Sequence, residues 1–266
     1  MKLNILHLAD LHCNAEDELY LNTVGKALCK DVADQAASGA KPDIVCVTGD
    51  LVNRGQNATV EYGLAESIFL KPLRETLSLP HSAFFFVPGN HDVDRTQISK
   101  PFELGIGQNI VSENDFRQFY GAAQSEGPDI EFLRKKLNSY FNFVHANGNE
   151  YLKHKSFFYD AFEFRNGSFS VGIVSLNSSW RSSQFGDDVR RLIIGEHVVL
   201  EAASKISNCD IRLCLCHHPF EMLTEWDAKP VRQTVAKHFH ALLNGHVHDS
   251  DAAATKQLLA GCCKTR

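Results

Sequence analysis

Short, largely apolar runs alternate with longer amphipathic stretches in the first third of the chain. The runs at residues 3–9, 44–47 and 84–87 end at turn residues, which is typical of buried strands. A helix is predicted over Glu16–Ala37, where aliphatic residues share one face: Leu21, Val24, Leu28 and Val32. A second helical stretch around residues 64–69 precedes the third run. This order predicts a parallel sheet with helices packed on its faces.

Residues 94–150 interrupt this alternation and are rich in Phe and Tyr. A short helix is predicted after Ser112, because Asp115 three residues later completes a capping pattern. A longer helix is predicted over Asp129–His145 from the spacing of its apolar residues. We interpret 94–150 as a helical insertion. It is either a cap that stacks a base over the site or a helical pair that buries its aromatic rings against the sheet.

The remainder of the chain returns to alternating strands and helices. A hairpin is predicted around Asn166-Gly167, because this dipeptide separates two runs of strand-like residues. A helix over Glu196–Ile206 and a strand at 211–216 follow. A helix near Val231–Phe239 and a strand at 241–244 come last.

Five predicted strands end in side chains that can bind a metal or move a proton. The segments are Asp10-Leu11-His12, Gly49-Asp50, Gly89-Asn90-His91-Asp92, His217-His218 and Gly245-His246-Val247-His248. Each segment alone is more often a simple turn. In open α/β sheets, however, ligands bind beyond the carboxyl ends of the strands. Five such segments together therefore predict a metal site.

The ligand inventory of these segments is two aspartates, one asparagine and four histidines. That is too many for one catalytic zinc, but one shared carboxylate would give each of two metals four protein ligands. Imidazole and carboxylate donors without thiolates favour Mn, Fe, Zn or Ni, with Mn preferred here. Two such ions can hold a hydroxide and clamp the oxygens of a displacement at phosphorus. We therefore predict hydrolysis of a phosphoester.

Composition and charge narrow the function further. The chain has 266 residues and a formal net charge of -5, so no global basic field attracts nucleic acid, although a local basic groove is compatible with it. No segment is long and apolar enough for a membrane span, and the first residues do not form a cleavable signal peptide. The eight cysteines lack paired CxxC spacing, which is typical of reduced thiols. We expect a cytoplasmic protein without membrane contact, and the sequence does not predict its oligomeric state.

The five motifs, in this order, resemble those of the calcineurin-like metallophosphoesterases. The matching stretches include Gly49-Asp50-Leu51-Val52-Asn53-Arg54 and His217-His218-Pro219, and the resemblance runs from the first strand to within eighteen residues of the end. It implies a β-sandwich flanked by helices and attack on phosphorus by a metal-bound hydroxide. It implies that Asp10, His12 and His248 hold one metal and that Asn90, His217 and His246 hold the other. Asp50 would bridge the two.

The resemblance also implies roles beside the metals. His91 would face the scissile phosphate and stabilise it or protonate the leaving oxygen. Asp92 would either orient His91 through a hydrogen bond or only cap the turn. We expect the substrate to contact Asn53, Arg54, Arg95, Trp180, Arg181 and His218. For Arg181, a salt bridge at the rim is an equally good interpretation.

The end of the chain departs from the family pattern. Relatives continue beyond the Gly-His-x-His motif with further strands of a second sheet, whereas only residues 249–266 remain here. Either the second sheet is short, or this chain is the amino-terminal part of a longer protein. We treat residues 1–266 as one catalytic domain with the insertion 94–150.

The substrate is less well determined by the motifs than the metal site. The forms GDLVNRG, HHP and GHVH look most like bacterial cyclic-nucleotide and related phosphodiesterases, so we expect a cyclic or linear nucleotide or another phosphodiester. A nuclease domain of a nucleic-acid-processing or defence protein is an alternative, supported by basic clusters at 153–155 and 190–191. A phosphomonoesterase or protein phosphatase is another. A scaffold without activity is disfavoured, because the ligand set and His91 are intact.

Overall fold

Two β-sheets form the centre of the computed structural model, which describes residues 2–123, 128–147, 152–247 and 257–259. The smaller sheet is parallel, with the order β1-β2-β3. Its strands are β1 (Ile5–Leu8), β2 (Ile44–Val47) and β3 (Phe84–Phe86). The larger sheet has the order β4-β5-β6-β7-β8-β9. Its strands are β4 (Leu152–Lys155), β5 (Tyr159–Asn166), β6 (Phe169–Leu176), β7 (Ile211–Cys216), β8 (Ala241–Asn244) and β9 (Gln257–Leu259).

The two sheets pack face to face and bury a common core. Alternate residues of β2 divide between two cores, because successive side chains of a strand point to opposite faces. Ile44 and Cys46 belong to the core between the sheets, whereas Val45 and Val47 belong to the core beneath the helices. Phe85 of β3 meets Phe162 of β5 edge to face, with ring centroids 5.3 Å apart. Burying such a ring contributes about 1.5–3 kcal/mol.

Helices cover the outer faces of this sandwich. On the side of the smaller sheet lie α1 (Glu18–Gln35), α2 (Ala58–Leu64) and α3 (Lys71–Leu77). After the insertion helices, α8 (Glu196–Lys205) packs on β5 and β6, and α9 (Glu225–His238) packs on α8. The parallel sheet predicted from the alternation in the first third of the chain is confirmed, because β1, β2 and β3 pair in parallel. Strands β7 and β8 belong to the other sheet. The β-sandwich flanked by helices that the resemblance implied is confirmed.

The second sheet is not short. Strands β4 to β8 all precede Gly245 in the chain, and β5–β6 form the hairpin predicted at Asn166-Gly167. Among the residues that the structure describes, β9 is the strand that follows the Gly-His-x-His motif, and with it the second sheet has six strands.

The insertion 94–150 contains helices α4 (Lys100–Asn109), α5 (Glu113–Ala123), α6 (Pro128–Lys135) and α7 (Asn138–Ala146). Ser112 caps α5 as predicted, since its hydroxyl accepts the N–H of Asp115 at 3.3 Å. The single helix predicted over 129–145 is wrong, because the helix is interrupted between α6 and α7, at Lys136. Its carbonyl accepts the N–H of Asp94 at 2.7 Å, and its ammonium turns inward to Glu103. These long-range contacts leave no trace in the local pattern.

Aromatic side chains of the insertion point inward rather than over the strand ends. Phe116 is fully buried and stacks on Trp180, with ring centroids 5.6 Å apart. Phe119 also stacks on Trp180, with ring centroids 5.8 Å apart. The insertion thus buries rings, as the second interpretation of this segment predicted. Among the residues that the structure describes, no helix is long and apolar enough to cross a membrane.

Candidate metal centre

The turns that follow the strands adopt strained backbone conformations. Asp10, His12, Asp50 and His246 have φ angles of 57°, 45°, 53° and 68°. The only other non-glycine residues with positive φ in the described part of the chain are Ser78 and Arg190. Such conformations cost on the order of 1–3 kcal/mol each and concentrate at functional sites. The strain therefore falls mainly on predicted metal ligands.

Two glycines let the ends of β2 and β3 meet closely. Gly49 has φ of 88°, a left-handed conformation that glycine adopts without penalty. A Cβ at Gly89 would lie 2.1 Å from Asp50 Oδ1 and 2.4 Å from Asp50 N, so no larger residue fits there. The Pro88-Gly89 turn thus places Asn90 and His91 directly against the Asp50 carboxylate.

The first group of predicted ligands surrounds one edge of Asp50. His12 Nε2 lies 3.7 Å from Asp50 Oδ2 and 3.9 Å from Asp10 Oδ1. Both oxygens of Asp10 accept the N–H of His246 at 3.1 Å, which ties the end of β1 to the end of β8. His248 lies outside the described residues, so its predicted place in this group is not addressed by the structure.

The second group converges on the same carboxylate. His217 Nε2 lies 3.4 Å from Asp50 Oδ2 and 3.1 Å from Asn90 Oδ1. His246 Nδ1 is also 3.1 Å from Asn90 Oδ1. On its other side, His217 Nδ1 donates to the carbonyl of Thr48 at 2.7 Å, because a carbonyl can only accept. This contact directs Nε2 of His217 toward Asp50 and Asn90, an orientation typical of metal-binding histidines.

Charges in this buried cluster are strongly coupled. Burial raises the pKa of Asp50, but His217, together with His91 and His12, outweighs burial and brings that pKa well below its usual range. Burial lowers the pKa of His217, whereas the Asp50 carboxylate raises it to about 9. Burial and the negative charge of Asp50 raise the pKa of Asp92 to about 7. The carboxylate of Asp50 therefore stays ionised.

The donor set fits divalent cations. Three clusters bring ligand atoms within 4.8 Å of one another: Asp10, Asp50 and His217; His12, Asp50 and His91; and His217, His218 and His246. Asp50 is common to two of them, the position expected of a bridging ligand. Carboxylate, amide and imidazole donors together suit transition metals of the Mn to Zn series.

His218 belongs to this cluster rather than to a substrate surface. It is fully buried, and its Nδ1 lies 2.8 Å from the hydroxyl of Ser178. Its Nε2 has no hydrogen-bond partner among the described residues, and its ring lies 4.7 Å from that of His246. The expected contact with substrate is not supported, because His218 follows the end of β7 and its side chain is buried inside the protein.

A polar cleft of about 390 Å³ opens beside the metal cluster. It is lined by Asn53, Arg54, Gly55, Gln56, His91, Val93, Arg95 and Gln184. Three predicted substrate contacts, Asn53, Arg54 and Arg95, thus share a wall with His91. Gln56 and Gln184 were not predicted, because neither belongs to a sequence motif.

His91 lies between the cleft and the predicted ligands. Its backbone N–H donates to Asp50 Oδ1 at 2.8 Å, and its ring lies 4.5 Å from the ring of His12. Its Nδ1 donates to the carbonyl of Asn53 at 2.7 Å, because a carbonyl can only accept. The contact fixes the orientation of the ring and leaves Nε2 for another partner.

Asp92 does not contact His91, so the predicted orienting hydrogen bond is wrong. Its Oδ2 accepts the N–H groups of Gly89 and Asp50 at 2.8 and 2.9 Å. Its Oδ1 accepts the hydroxyl of Tyr62 at 3.0 Å. Asp92 therefore points toward Tyr62, and its hydrogen bonds link the turns after β2 and β3. This is closer to the capping role.

Trp180 and Arg181 also lie away from the cleft. Trp180 is fully buried and packs against the aromatic rings of the insertion. Arg181 is 3% exposed, and its Nε lies 3.3 Å from Glu103 of α4. Their predicted contacts with substrate are wrong, because the turn after β6 faces the insertion helices rather than the cleft. The salt bridge considered for Arg181 is present, with Glu103 as its partner, but it is buried rather than at the rim.

The basic pair at 190–191 does not form a free basic surface. Arg190 pairs with Glu225 at 3.1 Å on the surface. Arg191 lies 3.9 Å from Glu103 and 3.8 Å from Asp188. Both charges are therefore engaged within the protein.

Known proteins resemble this chain in sequence and in fold. A sequence model of the calcineurin-like phosphoesterases, Metallophos, matches residues 3–250. The probable glycerophosphodiester phosphodiesterase GpdQ of Arcobacter nitrofigilis is 31% identical over 101 residues, which span 37% of this chain and 33% of that protein. The match thus spans about a third of the length of this curated relative.

The crystal structure of a dimetal phosphatase from Danio rerio superposes with a TM-score of 0.50 and 12% identity. That alignment covers 98% of this chain and 88% of the other. At this identity the likeness supports the fold alone.

Proposed function

The chain belongs to the calcineurin-like phosphoesterase family, and on that premise we propose that it is a dinuclear-metal phosphodiesterase. The observation that carries the proposal is the position of His91, between the Asp50-centred cluster and a cleft that holds two arginines. Phosphoester hydrolysis needs a charged centre, a proton donor and a place for the ester groups. All three adjoin one another here.

The ligands divide into two sets around Asp50. We assign Asp10, His12 and His248 to one cation and Asn90, His217 and His246 to the other, with Mn²⁺ preferred among divalent transition metals. Bound there, the two cations supply Lewis acidity that activates water and offsets the charge of the phosphoryl group. The buried Asp50 carboxylate stays ionised, which suits it to lie between two positive charges.

His91 acts on the leaving group. Because its Nδ1 is held by the Asn53 carbonyl, Nε2 is the nitrogen available to the departing oxygen. A diester has a poor alkoxide leaving group, so proton donation at that oxygen lowers the barrier. Asn53, Arg54 and Arg95 line the same cleft and would bind the phosphoryl oxygens or the ester groups.

The cleft favours small diesters with hydrogen-bonding alcohol groups. No Phe, Tyr or Trp side chain lines it among the described residues, so a nucleotide base would be held mainly by amides such as Gln56 and Gln184. The similar protein from Arcobacter nitrofigilis is named for a glycerophosphodiester, which has the same polar character. We therefore propose small phosphodiesters, nucleotides included, over nucleic acid.

Monoester hydrolysis is a second candidate for a specific reason. Arg54 and Arg95 line the cleft beside His91, and a monoester dianion brings more negative charge for arginines to bind. The test is kcat/KM of the Mn²⁺-loaded protein on bis-p-nitrophenyl phosphate and on p-nitrophenyl phosphate at neutral pH. We expect the diester to be preferred. A clear excess for the monoester, lost in an Arg54→Met, Arg95→Met double variant, would replace the phosphodiesterase proposal with a phosphatase.

A further inference from the structure

Glu61 is a buried carboxylate that the metal centre does not use. It lies on α2 with only 2% of its surface exposed. Its Oε2 accepts the backbone N–H groups of Asn53 and Arg54 at 2.8 and 2.7 Å. Its Oε1 has a longer contact with the amide of Asn57, at 3.4 Å. Glu61 therefore holds the start of the loop that lines the cleft.

This carboxylate is connected to His91 through one peptide group. The N–H of Arg54 and the C=O of Asn53 belong to the same planar peptide unit. Its N–H donates to Glu61, and its oxygen accepts Nδ1–H of His91 at 2.7 Å. A hydrogen bond to an ionised acceptor polarises the peptide, and polarised hydrogen-bond chains strengthen one another in a buried setting. The Asn53 oxygen is thereby a stronger acceptor for the imidazole.

We propose that Glu61 is a positioning residue that acts on His91 through the Asn53–Arg54 peptide group. The inference rests on the proposed function of His91 as proton donor. Glu61 fills the orienting role that the sequence assigned to Asp92, whose oxygens are engaged by Gly89, Asp50 and Tyr62. One peptide group therefore separates the orienting carboxylate from the histidine, and the carboxylate comes from helix α2, well before His91 in the chain.

Glu61 supports one proton transfer. Water oxygen forms a bond to phosphorus while the bond from phosphorus to the leaving oxygen breaks, and the attacking water releases one proton to solvent. The leaving oxygen takes the proton from Nε2 of His91, which enters the step with both ring nitrogens protonated, and solvent later restores that proton. Throughout, Nδ1–H stays on the Asn53 carbonyl, so Glu61 stabilises the donor without touching the substrate.

Glu61→Gln separates this role from simple loop tethering. The amide oxygen of glutamine can still accept both backbone N–H groups, so the loop is retained while the charge is removed. We expect kcat to fall about 10-fold for aryl methyl phosphodiesters that release phenol, the scale typical of losing an outer partner of a functional histidine. Esters that release p-nitrophenol need little protonation, so their kcat should fall less than about twofold. KM and bound Mn²⁺ should not change.

Asp227→Asn is the matched control. Asp227 is also 2% exposed and also accepts two successive backbone N–H groups, from Ile194 at 2.7 Å and Gly195 at 3.1 Å. Among the described hydrogen bonds, neither Ile194 nor Gly195 contacts His91. We expect this variant to keep the wild-type dependence of kcat on the leaving group. Equal losses for both leaving groups in Glu61→Gln, or no loss at all, would reduce Glu61 to a loop tether and overturn the inference.

A readout without turnover keeps this test apart from the test of the proposed function. In the proton NMR spectrum, the Nδ1–H resonance of His91 should move upfield in Glu61→Gln, because the carbonyl becomes a weaker acceptor. The resonance should stay in place in Asp227→Asn. An unchanged resonance in Glu61→Gln would overturn the inference whether the protein cleaves diesters, monoesters or neither.

Discussion

Removing the charge of Glu103 should destabilise the protein strongly. Glu103 is 4% exposed and faces three cations at the junction between the insertion and the turn after β6. Arg181 Nε lies at 3.3 Å, Lys136 Nζ at 3.6 Å and Arg191 at 3.9 Å. Glu103→Gln keeps the shape of the side chain and removes the one carboxylate, among the described residues, that contacts all three. Breaking a buried ion pair by removing one partner costs about 3–5 kcal/mol.

Two features of the cluster place the loss at the lower end of that range. Burial lowers the pKa of Lys136 to about 8, even with Glu103 present, so Lys136 can lose its proton in the variant. The side chain of Arg191 is 22% exposed and keeps Asp188 at 3.8 Å. Arg181 is then the one buried cation of the three without compensation. We expect a loss of about 3 kcal/mol, which corresponds to a fall in Tm of about 6–12 °C for a chain of this size.

Thermal and urea unfolding at pH 7, followed by circular dichroism, measure this loss. The control is Glu113→Gln, which removes an exposed pair with Arg117 one helical turn away. Such exposed pairs contribute about 0.3–0.5 kcal/mol, so the control should unfold almost like wild type. A Glu103→Gln protein as stable as the control would refute the reasoning, since it would mean that the cations do not depend on this carboxylate.

Further outcomes follow from the same structure. His91→Ala should lower kcat by about a hundredfold or more while bound Mn²⁺ stays constant, because His91 supplies a proton rather than a ligand. Asn90→Ala should instead weaken Mn²⁺ binding and recover part of its activity at high Mn²⁺, and metal loss in His91→Ala would contradict this division. Lys136→Met should remove a pH dependence of stability: the folded pKa is about 8 against 10.5 for the free side chain. Between these values the unfolded chain binds more protons, so the free energy of unfolding rises with pH in the wild type. Relative to Lys136→Met, this rise should be on the order of 2 kcal/mol from pH 7.5 to 9.5, and parallel curves for both proteins would contradict it.

The residues around Asp50 could be predicted because their chemistry is local. Asp10, Asn90 and His246 directly follow apolar strands, and no structural requirement of a turn calls for so many donors. The order of the motifs along the chain added the resemblance to a family. Which side chains point into the centre was harder to predict, as Asp92 and His218 illustrate. Their orientation depends on Tyr62 and Ser178, which are distant in sequence.

The other wrong predictions also result from contacts between segments that are distant in sequence. Trp180 and Arg181 follow strand β6 as the residues of the Asp50-centred cluster follow β1 to β3, yet their turn faces helices α4 and α5. The apolar spacing of 129–145 continues through Lys136, although that residue ends a helix by contacting Asp94 and Glu103. Glu61 has no motif, and only the folded loop brings it to the peptide beside His91. Local pattern predicts the elements, whereas contacts between distant segments decide their ends and orientations.

The bridging role of Asp50 is tested most directly by counting metal ions. Wild type, Asp50→Asn and the exposed control Asp34→Asn would be loaded with Mn²⁺, desalted and measured for metal content and for hydrolysis of bis-p-nitrophenyl phosphate. We expect two ions per chain and full turnover in wild type and in Asp34→Asn. Asp50→Asn should hold fewer ions and lose turnover, because both sites share its carboxylate. Two ions and full turnover in Asp50→Asn, or full turnover of wild type after exhaustive chelation, would contradict the dinuclear centre.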